Sequence, residues 1–238
     1  MTAWFDRTPV NTEEHKSRRK LYGRRKGPKL SPHQERLLET LLPKLALPLE
    51  AGRDPKTYFG KSADDVWLEI GFGAGEHLLW QAAHHPNVGL IGAEPYISGV
   101  AKLLSKLAAD ESAPTNIRLY SDDARNIIDA LPAASLGRVF LLFPDPWPKT
   151  RHHKRRFVQT EMLDQLARVM KSGAEFRFAS DDAGYLNWAL ERLAAHPAFA
   201  WTAARAEDWH MRPADWPQTR YEAKELHGKP AFLRFARL

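Results

Sequence analysis

The chain has 238 residues, 43% of them hydrophobic, with a formal net charge of +6 and a sequence pI near 9.5. Length and composition allow one α/β domain with extensions, and the positive charge favours an anionic partner. The absence of cysteine excludes disulfides, thiolate zinc sites and cysteine nucleophiles. No apolar segment approaches the roughly 20 residues of a membrane span, and the N-terminus has no apolar signal-peptide core, so we expect a cytoplasmic protein.

Residues 1–30 form a predicted basic arm, and residues 31–238 a predicted single domain. The arm has no hydrophobic periodicity, and its cations between Lys16 and Lys29 have no acid among them. Such a segment favours contact with a nucleic-acid backbone. A disordered tail that only increases solubility is the alternative.

After the arm, the sequence alternates predicted helices and strands. A first helix begins at Ser31, with Glu35 near the capping-box position. The predicted strands are residues 66–70, 88–93, 116–120, 139–143, 174–179, 199–203 and 231–237. The predicted helices between them are residues 76–83, 98–109, 124–131, 157–170 and 185–193. This alternation predicts a doubly wound α/β fold with a seven-stranded, mostly parallel sheet and helices on both faces.

A glycine turn follows the first predicted strand. Glu69 precedes Gly71, Gly73 and Gly75 in the order E-x-G-x-G-x-G. Glycines at a strand-to-helix junction let a ligand approach the backbone closely. A dinucleotide site is the alternative, but its G-x-G-x-x-G fingerprint places the third glycine one residue later. The spacing found here is that of Rossmann-like methyltransferases that use S-adenosylmethionine.

Acidic residues lie at the ends of the next two predicted strands. Glu94 ends the second strand, where its carboxylate can accept hydrogen bonds from both ribose hydroxyls. Asp123 follows the third strand and can accept from an adenine amino group. An N-cap of the following helix is the alternative for Asp122 or Asp123. An acidic lining suits the sulfonium and ammonium of S-adenosylmethionine better than a pyrophosphate.

A proline-rich loop follows the apolar strand at 139–143. Its prolines end the strand and place Asp145 and Trp147 on a rigid loop at the carboxyl end of the sheet, where α/β folds bind ligands. A basic run follows this loop. Its members are Lys149, Arg151, His152, His153, Lys154, Arg155 and Arg156. The order strand, acid, aromatic and basic run indicates chemistry on a polyanion, with an ordinary solvated face as the alternative for the basic run.

The motif Phe143-Pro-Asp-Pro-Trp-Pro-Lys-Thr-Arg-His-His-Lys-Arg-Arg-Phe157 resembles that of the bacterial tRNA (guanine-N7)-methyltransferase family. The glycine turn, Glu94 and the segment Thr219-Arg-Tyr-Glu222 carry the same resemblance, which extends over the chain from about Arg24. It implies a Rossmann-like class I methyltransferase fold, S-adenosylmethionine as cofactor and tRNA as partner. It further implies methylation of N7 of a guanine in the tRNA variable loop, at tRNA position 46.

The resemblance also implies roles for individual residues. Cofactor contacts are implied for Glu69, Gly71, Gly73, Gly75, Glu94, Asp123 and Asp145. Substrate contacts are implied for Lys149, Asp181, Thr219, Arg220, Tyr221 and Glu222, and RNA contacts for Arg151, His152, His153, Lys154, Arg155 and Arg156. We expect no metal, no membrane association and no obligate protein partner, in a monomer or a homodimer.

The chemistry of guanine N7 assigns Asp145 a catalytic role. N7 has a free lone pair and no proton, so methyl transfer to it needs positioning but no general base. The base becomes a cation, which a fixed carboxylate at Asp145 would stabilise. Asp181 or Glu222 could accept both N1–H and the amino group of guanine, and Trp147 could stack on an unpaired base. The alternatives are that Asp145 only shapes the turn and that the prolines bury Trp147.

Two other functions stay open at this point. An amino-group methyltransferase acting on nucleic acid or protein would carry D/N-P-P-Y/F/W at this strand end, whereas the order here is Asp-Pro-Trp-Pro. A catalytically silent RNA-binding module on the same scaffold would not require Glu69, Glu94 and Asp145 together.

Overall fold

A computed structural model of the protein describes residues 20–23, 25–220, 222–224 and 226–238. Most of the predicted basic arm, residues 1–19 together with Arg24, lies outside the described residues. The predicted substrate residue Tyr221 lies outside them as well.

Seven strands of the described chain form one mixed sheet. They are β1 (Asp65–Ile70), β2 (Val88–Ala93), β3 (Ile117–Tyr120), β4 (Leu136–Leu142), β5 (Met170–Ser180), β6 (Phe199–Trp201) and β7 (Ala231–Arg237). Their order is β3-β2-β1-β4-β5-β7-β6. The first five strands pair in parallel, and β7 is antiparallel to both β5 and β6. The predicted seven-stranded, mostly parallel sheet is confirmed.

Helices cover both faces of this sheet. They are α1 (Pro32–Thr40), α2 (Leu42–Leu45), α3 (Glu76–His84), α4 (Ile97–Ala109), α5 (Ala124–Ala130), α6 (Thr160–Val169), α7 (Ala183–Ala195) and α8 (Glu207–His210). Short 3₁₀ helices lie at Pro55–Ser62, Thr150–Arg155 and Glu222–Lys224. One apolar cluster contains Leu78 of α3 and Leu103 of α4, and the other contains Ile127, Leu166 and Leu193 of α5, α6 and α7. This is the three-layer arrangement that strands apolar on both faces require.

Most predicted bounds lie within two residues of the observed ones, but β4 begins at Leu136, three residues before the predicted start, and two further boundaries are wrong. The helix predicted from residue 157 begins at Thr160, because the backbone N–H groups of Phe157 and Val158 donate to the buried Tyr185 hydroxyl at 2.9 and 3.3 Å. The strand predicted from residue 174 already begins at Met170, directly after α6. Both differences result from contacts with distant parts of the chain.

The helix predicted at Ser31 is confirmed, but its cap uses a different partner. The Ser31 hydroxyl accepts from the backbone N–H of Gln34, and the Gln34 side chain accepts from the N–H of Ser31. Gln34 is the third helical residue, so the capping box closes on it and not on Glu35.

The carboxyl ends of the parallel strands meet at one edge of the sheet. The segments that follow β1, β2, β3 and β4 there are the glycine turn, Glu94–Tyr96, Asp122–Asp123 and the proline loop. The connection reverses direction between β1 and β4, which is the switch point where ligands bind in open α/β sheets.

Candidate active site

A cleft of about 930 Å³ opens at this switch point. Its wall combines segments from five parts of the chain: the glycine turn, Glu94–Tyr96, Asp123–Arg125, the proline loop and Lys154–Phe157. Leu21, Tyr22, Gly23 and Thr219 close it from two further sides. Four predicted cofactor residues, Glu69, Glu94, Asp123 and Asp145, therefore share one cleft.

The glycine turn forms the floor of the cleft between β1 and α3. Gly71, Gly73 and Gly75 all have positive φ, at 75°, 57° and 76°. A side chain at Gly75 would run into Leu103 of α4, and one at Gly99 into the carbonyl oxygen of Gly73. The turn is thus pressed against α4, so its backbone is exposed to a ligand on the opposite side.

Glu94 is held at the floor of the cleft by two backbone groups. Its Oε2 accepts from Gly73 N at 2.7 Å, and its Oε1 accepts from Tyr96 N at 2.8 Å. Burial raises the pKa of Glu94 to about 6, although these two hydrogen bonds act in the opposite direction. Each carboxylate oxygen keeps a further lone pair, so the ionised group can accept the two hydroxyls of a ribose.

Glu69, at the end of β1, is buried and paired with a histidine that the sequence analysis missed. Its Oε2 lies 2.8 Å from Nδ1 of His77, and the Nε2 of His77 lies 3.1 Å from the amide nitrogen of Gln81. An amide nitrogen only donates, so Nε2 of His77 accepts from Gln81 and Nδ1 donates to Glu69. No local motif indicated this contact, because it depends on how α3 packs against β1.

Asp122 and Asp123 have different surroundings. Asp123 is the N-cap of α5 and accepts from Arg125 N at 3.0 Å, and its carboxylate also binds the Arg125 guanidinium. Asp122 forms an ion pair with Arg25 at 3.0 Å. The N-cap alternative is therefore correct for Asp123, yet this residue and not Asp122 lines the cleft.

The proline loop holds Asp145 at the mouth of the cleft. Phe143 and Trp147 on either side of it have φ of 49° and 46°, a left-handed conformation that costs non-glycine residues about 1–3 kcal/mol each. Arg156 stabilises the loop by donating to Pro146 O at 2.8 Å and to Gly184 O at 3.2 Å. Asp145 itself is exposed within this rigid frame.

Arg156 is turned inward, away from solvent. It is only 4% exposed, its guanidinium lies over the rings of Tyr185 and Trp188, and its donors serve the proline loop. Arg156 lines the cleft from this buried position, and its predicted contact with RNA stays a prediction. A run of basic residues does not reveal which of its side chains is turned inward.

The remaining basic run, which we call the rim, follows the proline loop, and its members Lys154 and Arg155 line the cleft. Lys149, Arg151 and Lys154 are exposed. Arg155 lies between two aromatic rings, 4.9 Å from the centre of Tyr22 and 4.8 Å from that of Trp147. The half-buried His152 and His153 pack against Trp147 and Trp188, at ring distances of 5.9 and 5.1 Å. The rim thus combines exposed cations with half-buried aromatic rings.

The described part of the basic arm packs along the cleft. Tyr22 lies edge-on to Trp147 at 6.4 Å, the carbonyl of Lys20 accepts from Arg125 at 3.1 Å, and that of Arg25 accepts from Ile97 N at 3.2 Å. These contacts join Lys20, Tyr22 and Arg25 to the rest of the structure, and the predicted boundary at residue 30 stays a prediction.

The predicted substrate residues are less closely grouped. Thr219 lines the cleft, whereas Lys149, Asp181, Arg220 and Glu222 are not part of its wall. Asp181 accepts from His227 N at 3.1 Å, and Glu222 is buried with its Oε1 2.9 Å from Arg212.

The described residues contain neither a helix that could span a membrane nor a cluster of metal ligands. None of their helices has the length and apolarity to cross a membrane. They also hold no group of three or more histidine and acidic side chains placed to bind a metal ion.

Solved structures share this fold. The 16S rRNA methyltransferase KamB has a TM-score of 0.56 at 18% identity and covers 79% of this chain and 95% of its own. The 16S rRNA (adenine(1408)-N(1))-methyltransferase from Catenulisporales acidiphilia has a TM-score of 0.54 at 16% identity, with 82% and 97% coverage. Sheet order, glycine turn and buried Glu94 define a class I methyltransferase that uses S-adenosylmethionine.

Sequence relatives give the particular family. A family model described as "Putative methyltransferase" matches residues 63–234. The tRNA (guanine-N(7)-)-methyltransferase of Rhodospirillum rubrum is 53% identical over 225 residues, 92% of this chain and 88% of the relative. That of Azorhizobium caulinodans is 45% identical over 233 residues, with 97% and 100% coverage. The chain belongs to the tRNA (guanine-N(7)-)-methyltransferase family.

Proposed function

We propose that this protein transfers the methyl group of S-adenosylmethionine to N7 of a guanine in the tRNA variable loop. The observation that carries the proposal is one cleft with a glycine turn and Glu94 at its floor, Asp145 at its mouth and exposed cations on its rim. The family of the chain supports the same reaction.

The residues of the cleft fit the cofactor. The tight turn offers backbone to the ligand, the ionised Glu94 accepts the ribose hydroxyls, and Asp123 lies where the adenine end would be bound. The carboxylate of Glu69, held by His77, lines the same cleft and suits the ammonium group. S-adenosylmethionine supplies a methyl group activated by its positively charged sulfur.

Asp145 acts on the base that receives the methyl group. Guanine N7 carries no proton, so the site requires no general base, and the buried His77 is bound to Glu69 and Gln81. Methylation leaves the base positively charged, and the carboxylate of Asp145 stabilises that charge at the mouth of the cleft. Because its loop is fixed by strained backbone and by Arg156, Asp145 need not reorganise during the reaction.

The rim binds the RNA, and the segment around Thr219 reads the base. Lys149, Arg151 and Lys154 neutralise phosphates, and Trp147 provides a ring beside the entrance. Thr219 contacts the guanine from the cleft wall. Asp181 and Glu222 remain the proposed carboxylates for its N1–H and amino group.

A mapping experiment tests this proposal. The protein is incubated with unmodified tRNA transcript and S-adenosylmethionine labelled in its methyl group, and the nucleosides are separated by mass spectrometry. We expect 7-methylguanosine at one variable-loop position. A methyl group on an exocyclic amine would favour the amino-group alternative, and cofactor binding without methylation would favour the silent RNA-binding module.

A further inference from the structure

The connection between α8 and β7 reaches the cleft in a segment without regular secondary structure. This substrate segment, residues 215–220, includes Thr219 at the cleft wall. Its second residue, Trp216, is buried against the rings of His77 and Phe232, at 5.5 and 5.3 Å. Thr219 also accepts from Glu222 N at its hydroxyl and from Ala223 N at its carbonyl, at 3.2 and 3.0 Å, so it moves together with the 3₁₀ helix Glu222–Lys224. Where this unit lies against the cleft depends on the side chains that anchor the start of the segment.

The first anchor is an ion pair at the start of the segment. Arg177 of β5 donates from Nη1 and Nη2 to the two carboxylate oxygens of Asp215, at 3.0 and 2.6 Å. The guanidinium is 2% exposed and also donates to Glu175 at 2.7 Å. Burial favours the neutral acid, but the hydrogen bonds and charge of Arg177 outweigh it and lower the pKa of Asp215. A bidentate ion pair of this kind fixes both the distance and the relative orientation of the two side chains.

The second anchor ties the segment to α3. Gln81 is fully buried and donates to the backbone carbonyl of Asp215 at 2.8 Å. The same amide nitrogen lies 3.1 Å from His77, whose other ring nitrogen is bonded to Glu69. One continuous chain of hydrogen bonds therefore runs from the cofactor side of the cleft to the base of the substrate segment.

We propose that Asp215 and Gln81 are positioning residues that hold Thr219 in place for the bound guanine. Neither side chain belongs to the cleft wall, so neither touches cofactor or base directly. The inference rests on the proposed function, because it assigns Thr219 to the guanine. Small displacements of a positioning group reduce rates strongly, by about a hundredfold for 1 Å.

The test uses three variants, Asp215→Asn, Asp215→Ala and Gln81→Met. We expect kcat/KM for tRNA to fall by roughly tenfold or more in Asp215→Ala and Gln81→Met, and by less in Asp215→Asn, which keeps one acceptor for Arg177. The Kd for S-adenosylhomocysteine should stay within about twofold, because the glycine turn and Glu94 are untouched. Trypsin cleavage after the exposed Arg220 should accelerate as the segment loosens.

Asp208→Ala is the matched control. Asp208 lies in α8, directly before this connection, and accepts from the N–H groups of Ala204 and Arg205, at 2.9 and 3.0 Å, so its loss removes local hydrogen bonds outside the substrate segment. It should leave both kcat/KM and cleavage after Arg220 unchanged.

Three results would overturn the positioning role. The first is an unchanged kcat/KM in Asp215→Ala and Gln81→Met. The second is a loss of cofactor affinity as large as the loss in kcat/KM, and the third is failure of all three variants to fold. If the wild-type protein does not methylate guanine N7, the proposed function fails as well, whereas a wild-type activity that all variants keep refutes only this inference. The cleavage assay measures the anchoring independently of activity.

Discussion

At the scale of single residues, two carboxylates of the cleft have opposite surroundings. Asp145 is exposed on a strained loop, whereas Glu94 is buried and held by two backbone N–H groups. Exposure allows Asp145 to contact a base of the large tRNA, and burial holds Glu94 in place for the small cofactor. The two charges also interact, since Asp145 contributes to the raised pKa of Glu94.

Replacing Asp145 tests the proposed stabilisation of the methylated base. Asp145→Asn keeps the shape of the side chain but removes its charge, so we expect turnover to fall by about 10²–10³-fold. The Kd for tRNA should change only a few-fold, because the cations of the rim remain. Single-turnover kinetics and filter binding measure the two quantities, with the remote, exposed Asp110→Asn as control. Full turnover in Asp145→Asn would remove this residue from the mechanism.

The titration of Glu94 predicts a pH dependence. Its folded pKa, about 6, lies above the ordinary 4.5, so the folded protein binds this proton more tightly than the unfolded chain. The free energy of unfolding of the ligand-free protein should fall by up to about 2 kcal/mol as pH rises from 4.5 to 6. Cofactor affinity should rise over the same range, because only the ionised group accepts both ribose hydroxyls.

Calorimetric titration of S-adenosylhomocysteine between pH 5 and pH 7 measures that affinity. Glu94→Gln cannot ionise and should bind weakly at every pH. A variant that kept the pH dependence of the wild type would assign it to another group.

At the scale of elements, the basic residues in and just after the 3₁₀ helix Thr150–Arg155 have two different roles. Lys154 is exposed on the rim, whereas Arg156, two residues later, points inward to the proline loop. Lys154→Gln should therefore reduce the salt dependence of tRNA binding by about one unit of log–log slope and leave the melting temperature unchanged. Salt titrations of tRNA binding measure this slope.

Arg156→Gln should show the reverse behaviour. Two backbone carbonyls lose a charged donor, so we expect the free energy of unfolding to fall by about 1–3 kcal/mol and turnover to fall with the displaced Asp145 loop, at an unchanged salt slope. Thermal melts and binding isotherms separate the two variants. A reduced slope in Arg156→Gln would restore this residue to the RNA-binding surface.

Elements with strong local signals were predictable from the sequence. Strands 88–93 and 231–237 have the predicted bounds, since an apolar run with clear ends specifies a strand by itself. The glycine turn after β1 and the acids Glu94, Asp123 and Asp145 after β2, β3 and β4 were found because parallel strands end at one edge. The inward turn of Arg156 and the late start of α6 were not predictable, because both depend on Tyr185 and Gly184 beyond the next helix.

The contacts that anchor the substrate segment, residues 215–220, were even harder to predict from the sequence. Gln81 and Asp215 are 134 residues apart in the chain, and neither belongs to a motif. Arg177 lies within β5, and besides Glu175 it binds Asp215, which is 38 residues away in the chain. Contacts of this range follow from the packing of complete elements and have no local signature.

At the scale of the whole molecule, β7 lies between β5 and β6 and joins them. Phe235 of this strand is fully buried and packs against Trp201 of β6 at a ring distance of 5.0 Å. Phe235→Ala should lower the free energy of unfolding by about 3–5 kcal/mol, because it leaves a large cavity in the core. Urea denaturation measures the change, and Leu238→Ala, at a position 59% exposed, is the control. A loss below 1 kcal/mol would contradict this role of β7.

The insertion of β7 also governs when the protein can fold during translation. The cofactor cleft is built mainly from residues up to 162, so a nascent chain on the ribosome can already assemble most of the methyl-donor pocket. The side of β5 that β7 occupies, however, stays unpaired until residues 231–237 have been synthesised. An open strand edge of this kind attracts other chains, so the growing polypeptide is most exposed to aggregation after its pocket has formed and before its sheet is closed.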